Sequence, residues 1–105
     1  MGQFAVYRNK SPRSKAAFPL LVDVQSDLLD DLHTRVVIPL TKAAALTKKP
    51  VTQLTPAIEF ESGRYLLMTP QLAGIAVSEI GPLAGSLATH RDIILAAMDF
   101  LISGY

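Results

Sequence analysis

The chain has 105 residues, of which 50% are apolar and 18% charged, with a net charge of +1. This length predicts one domain, spanning residues 1–105, and the composition excludes a disordered tail or a low-complexity linker. Cysteine is absent, which rules out a disulfide framework, a thiolate zinc site and a thiol nucleophile. The first eight residues lack the basic-then-apolar layout of a signal peptide. No apolar run approaches the ~20 residues that cross a bilayer. The expectation is a soluble, cytoplasmic protein without membrane contact. So apolar a chain at this size also predicts a partner-facing surface.

Residues 4–8 predict a short strand. The segment up to residue 22 carries Arg8, Lys10, Arg13 and Lys15 and no acid, whereas residues 23–31 carry Asp23, Asp27, Asp30 and Asp31 and no base. Residues 32–57 are again basic, with Arg35, Lys42, Lys48 and Lys49. Such runs are ordinarily solvated; the functional alternative is contact with phosphate or an acidic peptide. A dedicated duplex-DNA binder carries a larger basic excess.

Residues 20–24 alternate, with Leu20, Val22 and Val24 on one face and Leu21 and Asp23 on the other. Residues 35–40 place Val36, Ile38 and Leu40 together, and Pro39 is expected to end that strand. The alanine-rich stretch 41–46 predicts one or two helical turns. Ile58 and Phe60 alternate with Glu59 and Glu61, Ser62-Gly63 signals a hairpin, and residues 64–69 return. Residues 75–80 predict a further strand, ended by Gly81-Pro82.

From Ser86 onward the period becomes helical. Thr89 with Asp92 three residues later is a capping pair, and Ser86 is the other N-cap candidate. Ile94, Met98 and Leu101 share one face and Ile93, Ala97 and Phe100 another, leaving a narrow polar stripe at Asp92 and Asp99. A helix apolar around most of its girth is covered on more than one side, which predicts a second subunit. Gly104 supplies the helix stop. The pattern is mainly β with one C-terminal helix: a small antiparallel sheet over 1–81, a helix and tail over 83–105, and a homodimer. Leu72, Ile75, Met98 and Leu101 are the candidate dimer contacts.

Little catalytic chemistry is on offer. His33 and His90 are far apart and have no cysteine to complete a metal set. No glycine-serine elbow, phosphate-binding loop or dinucleotide fingerprint is present. Asp23 and Asp27 form a carboxylate pair by spacing, but strand-end and turn hydrogen bonding is the better reading. No enzyme activity, metal or cofactor is expected.

Several strings match one family. They are Phe4-Ala5-Val6-Tyr7, the run from Leu21 through Val-Asp-Val-Gln-Ser-Asp to Asp30, Arg35-Val36-Val37-Ile38-Pro39-Leu40, Leu67-Met68-Thr69, Ala76-Val77-Ser78-Glu79-Ile80-Gly81, and the helix ending in Gly104. In this order, over nearly the whole chain, they resemble CcdB, the toxin of ccd toxin–antitoxin modules. The resemblance implies the barrel-like antiparallel sheet of CcdB and MazF-type toxins, a homodimer, and a bacterial cytosolic toxin. Such a toxin binds the DNA gyrase A subunit and traps gyrase on cleaved DNA without itself making or breaking bonds. A two-fold ligand offers the same patch to both halves of a two-fold target.

A CcdA-like antitoxin with an acidic, disordered tail is the implied second partner. Operator DNA is implied only through the complex of the two, which represses its own operon. Arg8, Lys10, Arg13 and Lys15 are the candidate antitoxin contacts. Carried over from the family, Leu28, Leu29, Asp99, Ile102, Ser103, Gly104 and Tyr105 are the candidate gyrase contacts. The family ends in Trp-Gly-Ile, and its tryptophan stacks on a gyrase arginine. This chain has Ser103 there and Tyr105 at the end. The alternative is therefore a degenerate toxin that binds antitoxin but poisons gyrase weakly or not at all. A MazF-like ribonuclease is a further alternative, with Arg35, Arg64, Arg91 and His33 as its only available groups.

Overall fold

A computed structural model describes residues 2–45 and 52–104. Strands β1 (Ala5–Asn9), β2 (Leu20–Asp23) and β3 (Thr34–Lys42) form the middle of one antiparallel sheet. β4 (Ala57–Phe60) and β5 (Gly63–Leu67) form a hairpin that pairs with the second half of β3. β6 (Ala73–Ala76) pairs with its first half. β7 (Ile80–Ser86) closes the other side against β1. The order is β4-β5-β3-β2-β1-β7, with β6 beside β3. α1 (Arg91–Ser103) follows. This is the expected mainly-β chain with one C-terminal helix. The sheet curls: a Cβ built on Gly85 of β7 would meet the Phe60 ring of β4 at 2.7 Å, so strands from opposite ends of the order come together.

Alternation along the central strands sorts the core into two layers. Val6, Val22 and Ile38 are register partners, and they share the helix-side cluster with Leu40, Leu67, Ile94 and Ala97. Tyr7, Leu21 and Val37 point the other way and pack with Ile80. Because β2 is covered on both faces, all four of its residues are buried, Asp23 included.

Five local expectations are corrected. Pro39 does not end its strand; β3 runs through it to Lys42. The Pro39 carbonyl accepts from the Met68 N–H, at the point where the neighbour of β3 changes from β6 to β5. The missing proline N–H falls in that gap and leaves no ladder acceptor wanting. The strand expected over 75–80 is instead the end of β6, a 3-10 turn (Val77–Glu79) and the start of β7. Nor does Gly81-Pro82 stop β7, which continues to Ser86 over a register shift against β1, a place where an outer strand accommodates proline.

The hairpin turn sits one residue earlier than expected. Glu61 and Ser62 both have positive φ, +47° and +64°, as a two-residue turn of type I′ requires, and Gly63 already pairs with Phe60. Finally, neither Thr89 nor Ser86 caps α1. Ser86 Oγ accepts the Ala88 N–H at the entry to a 3-10 turn (Ala88–His90), Thr89 lies within that turn, and His90 occupies the N-cap position without a side-chain capping bond. The alanine-rich stretch forms a 3-10 turn over Ala43–Ala45, and Leu46 lies outside the described residues.

Candidate functional site

Two exposed features hold the candidate gyrase contacts. The first is the β2–β3 connection. Ser26 Oγ accepts the Leu28 N–H and begins a 3-10 turn (Asp27–Leu29). Asp27 Oδ1 takes the Gln3 N–H at 2.8 Å, tying the turn to the N-terminal segment. Leu28 is left 94% exposed, and Leu29 and Leu32 are about half exposed. Isolated exposed leucines are ordinary, but three within five residues on one loop form a patch.

A polar core lies under this loop. Arg35, from β3, is fully buried. Its Nη2 stands 2.7 Å from Asp23 Oδ2, Nε donates to the same oxygen, and Nη1 reaches Asp30 Oδ1 at 3.1 Å. Asp23 Oδ1 accepts the Gln25 N–H. Burial pushes the Asp23 carboxyl above its ordinary pKa; the hydrogen bonds from Arg35 and the Gln25 N–H and the guanidinium charge pull against that rise without cancelling it. Asp23 and Asp27 thus act in strand-end and turn hydrogen bonding, as expected of them. The Asp23–Arg35 pair was missed. An acid inside the apolar run Leu21-Val22-Asp23-Val24, with an arginine opening the next strand, was the signal available.

The second feature is the end of α1. Asp99, Ile102, Ser103 and Gly104 are all exposed, Ile102 to 81%. Gly104 adopts φ +78° and its N–H returns to the Phe100 carbonyl, the left-handed stop expected of it. Ser103 Oγ donates to the Asp99 carbonyl at 2.7 Å, so this side chain folds back on its own helix. Tyr105 lies outside the described residues. No hydrogen bond between described residues links the loop leucines to the helix end.

The basic candidates lie on β1 (Arg8) and in the β1–β2 connection (Lys10, Arg13, Lys15). All four are exposed and, among the described residues, none is in an ion pair; Lys10 Nζ donates to the Ser78 carbonyl. Ser11 and Ser14 of that connection border a cleft of ≈ 430 Å³, floored by Leu21, Val37 and Ile75 on the sheet face away from α1. Nothing in the sequence pattern singled this cleft out.

The candidate dimer contacts are divided. Leu72 and Met98 pack half-buried against the helix-side cluster, Ile75 packs against the opposite layer, and Leu101 is exposed on α1. The ribonuclease groups are scattered: Arg35 is buried in its ion pair, His33 is on the loop before β3, Arg64 is on β5, and Arg91 begins α1. Among the described residues, no three histidines or carboxylates are grouped to hold a metal ion. Among the described residues, no helix is long and apolar enough to cross a membrane.

The family model described as CcdB protein matches residues 3–104. The chain belongs to the CcdB family. The match takes in every segment that carries the resemblance, from Phe4-Ala5-Val6-Tyr7 to Gly104. Membership places this CcdB-family chain among the toxins of toxin–antitoxin systems, and the curled antiparallel sheet with a single C-terminal helix agrees with it.

Proposed function

We propose that this chain is the toxin of a toxin–antitoxin module. In this reading it acts as a homodimer, binds the gyrase A subunit, and holds gyrase on cleaved DNA by favouring that state over the others. It performs no bond chemistry of its own. The observation that carries the reading is the exposure of the apolar family positions: Leu28 at 94% and Ile102 at 81% are the most exposed large apolar side chains among the described residues, ahead of Leu83 at 66%. An acidic antitoxin tail would meet the exposed, unpaired cations Arg8, Lys10, Arg13 and Lys15, and the joint complex would contact operator DNA through the antitoxin. The apolar outer side of α1, with Ile93 and Leu101 exposed, supports a second protomer against it.

One observation favours a second reading. Ser103 is bonded back to its own helix and presents no ring to a gyrase arginine. A toxin in this condition keeps its antitoxin and dimer surfaces but poisons gyrase weakly. The test is purified protein incubated with gyrase and supercoiled plasmid, followed by detergent denaturation. A poison leaves linear DNA, while an inert homologue leaves the topoisomer ladder of untreated gyrase. RNA in a parallel reaction stays intact under both readings.

A further inference from the structure

The loop that carries Leu28 and Leu29 is tied down from within the sheet rather than by its own turn alone. The guanidinium of Arg35 holds three points of it. One is Asp23 where β2 ends, by Nε at 2.8 Å and Nη2 at 2.7 Å; another is the Gln25 carbonyl, by Nη2 at 3.3 Å; the last is the Asp30 carboxylate beyond the turn, by Nη1 at 3.1 Å. Gln25, itself buried, adds two more ties. Its Oε1 accepts the Val36 N–H of β3 at 3.0 Å, and its Nε2 donates to the Leu29 carbonyl at 3.0 Å. The residues before, within and after the turn are thus fixed to the first half of β3.

Stability alone does not account for this arrangement. A buried ion pair costs so much desolvation that apolar side chains of similar volume commonly stabilise a fold equally well. A fully bonded polar network does fix one geometry, however. Apolar side chains standing free in water, as Leu28 does, otherwise lose conformational freedom only when a partner orders them, and fixing the loop beforehand reduces that loss.

We propose that Arg35 and Gln25 are positioning residues, which hold the 27–29 turn in the single conformation that presents Leu28 and Leu29 to gyrase. The proposal rests on the gyrase reading above and assigns roles to two buried side chains.

The test uses Gln25→Met, which keeps the bulk and removes both side-chain bonds. A second variant, Asp30→Ala, cuts the half-exposed end of the Arg35 clamp and leaves the buried pair intact. Amide exchange of residues 27–32 is expected to quicken about tenfold in Gln25→Met, with β1 and β2 unchanged. Affinity for the isolated gyrase A subunit is expected to fall about tenfold, with antitoxin affinity unchanged. Asp30→Ala shifts both in the same direction, by less. In a Leu28→Ala/Leu29→Ala background, Gln25→Met is expected to cost no further gyrase affinity, because it acts only through those leucines.

An equal loss in both backgrounds, or loop exchange unchanged in both variants, overturns the proposal. Absence of gyrase binding by the unsubstituted chain overturns the gyrase reading and the positioning toward gyrase with it. Exchange then still decides whether the loop is clamped.

Discussion

Leu28→Ala and Ile94→Ala remove similar aliphatic bulk from opposite environments, and opposite consequences follow. Leu28 is 94% exposed and Ile94 is 0% exposed, at the contact of α1 with the sheet. Truncating Ile94 loses its transfer energy and leaves a cavity, costing about 2–5 kcal/mol of stability. Truncating Leu28 loses nothing the folded chain had gained, and the thermal midpoint stays within the scatter of a surface substitution, about 0.5 kcal/mol. If gyrase buries Leu28, the same truncation removes roughly 2 kcal/mol of apolar burial from the complex, at about 0.8 kcal/mol per methylene. That is about a thirtyfold loss of affinity. The assays are thermal unfolding of each variant and titration of each against the gyrase A subunit. Gyrase affinity unchanged in Leu28→Ala would refute the placement of the loop at the contact. A marked loss of stability in Leu28→Ala would refute the view that the leucine stands free.

Ser103→Trp, which restores the family residue, should tighten gyrase binding, while deletion of Gly104 and Tyr105 should abolish it; antitoxin titrations and melting curves should be unmoved by both. Arg13→Glu with Lys15→Glu should slow antitoxin association and flatten its salt dependence, as stopped-flow mixing at several salt concentrations would show. Leu101→Lys places a charge on the exposed outer side of α1 and should shift the protein to monomer in sedimentation without unfolding it, a cleaner probe than Met98, whose half-buried side chain also packs on the core. The buried Asp23 carboxyl has a pKa above its ordinary 3.8, so on acidification the folded chain takes up this proton before the unfolded chain does. The stability of the unsubstituted chain relative to Asp23→Asn should therefore rise as pH falls through the window just above 3.8. Paired urea titrations measure this slope, and the opposite sign would mean that Arg35 outweighs burial.

The parts of the fold that depend on periodicity were legible: the alternation in 20–24, the return after the 61–63 turn, and the helical spacing of Ile94, Ala97 and Met98. Departures came where tertiary pairing overrides a local rule. Pro39 and Pro82 read as strand breakers, but each stands where a donor is not needed, one at a change of neighbour and one at a register shift. Gly63 read as a turn residue, yet its lack of a Cβ serves the Tyr65 ring, which would lie 2.9 Å from that atom. Thr89 has the spacing of a cap, but the chain enters α1 through a 3-10 turn that moves the N-cap position to His90.

Of the candidate site, the exposed positions were accessible only through family strings, since exposure leaves no periodic mark. The clamp beneath them needs β2 and β3 side by side. No spacing along the chain announces that Asp23, Gln25, Asp30 and Arg35 share one set of hydrogen bonds.

Titration of the full chain into the gyrase A subunit tests the central claim most directly. The account predicts saturable binding with one toxin dimer per A-subunit dimer, as matched two-fold axes require, and release on addition of a CcdA-like antitoxin. No binding at concentrations where the chain is folded and dimeric would contradict it.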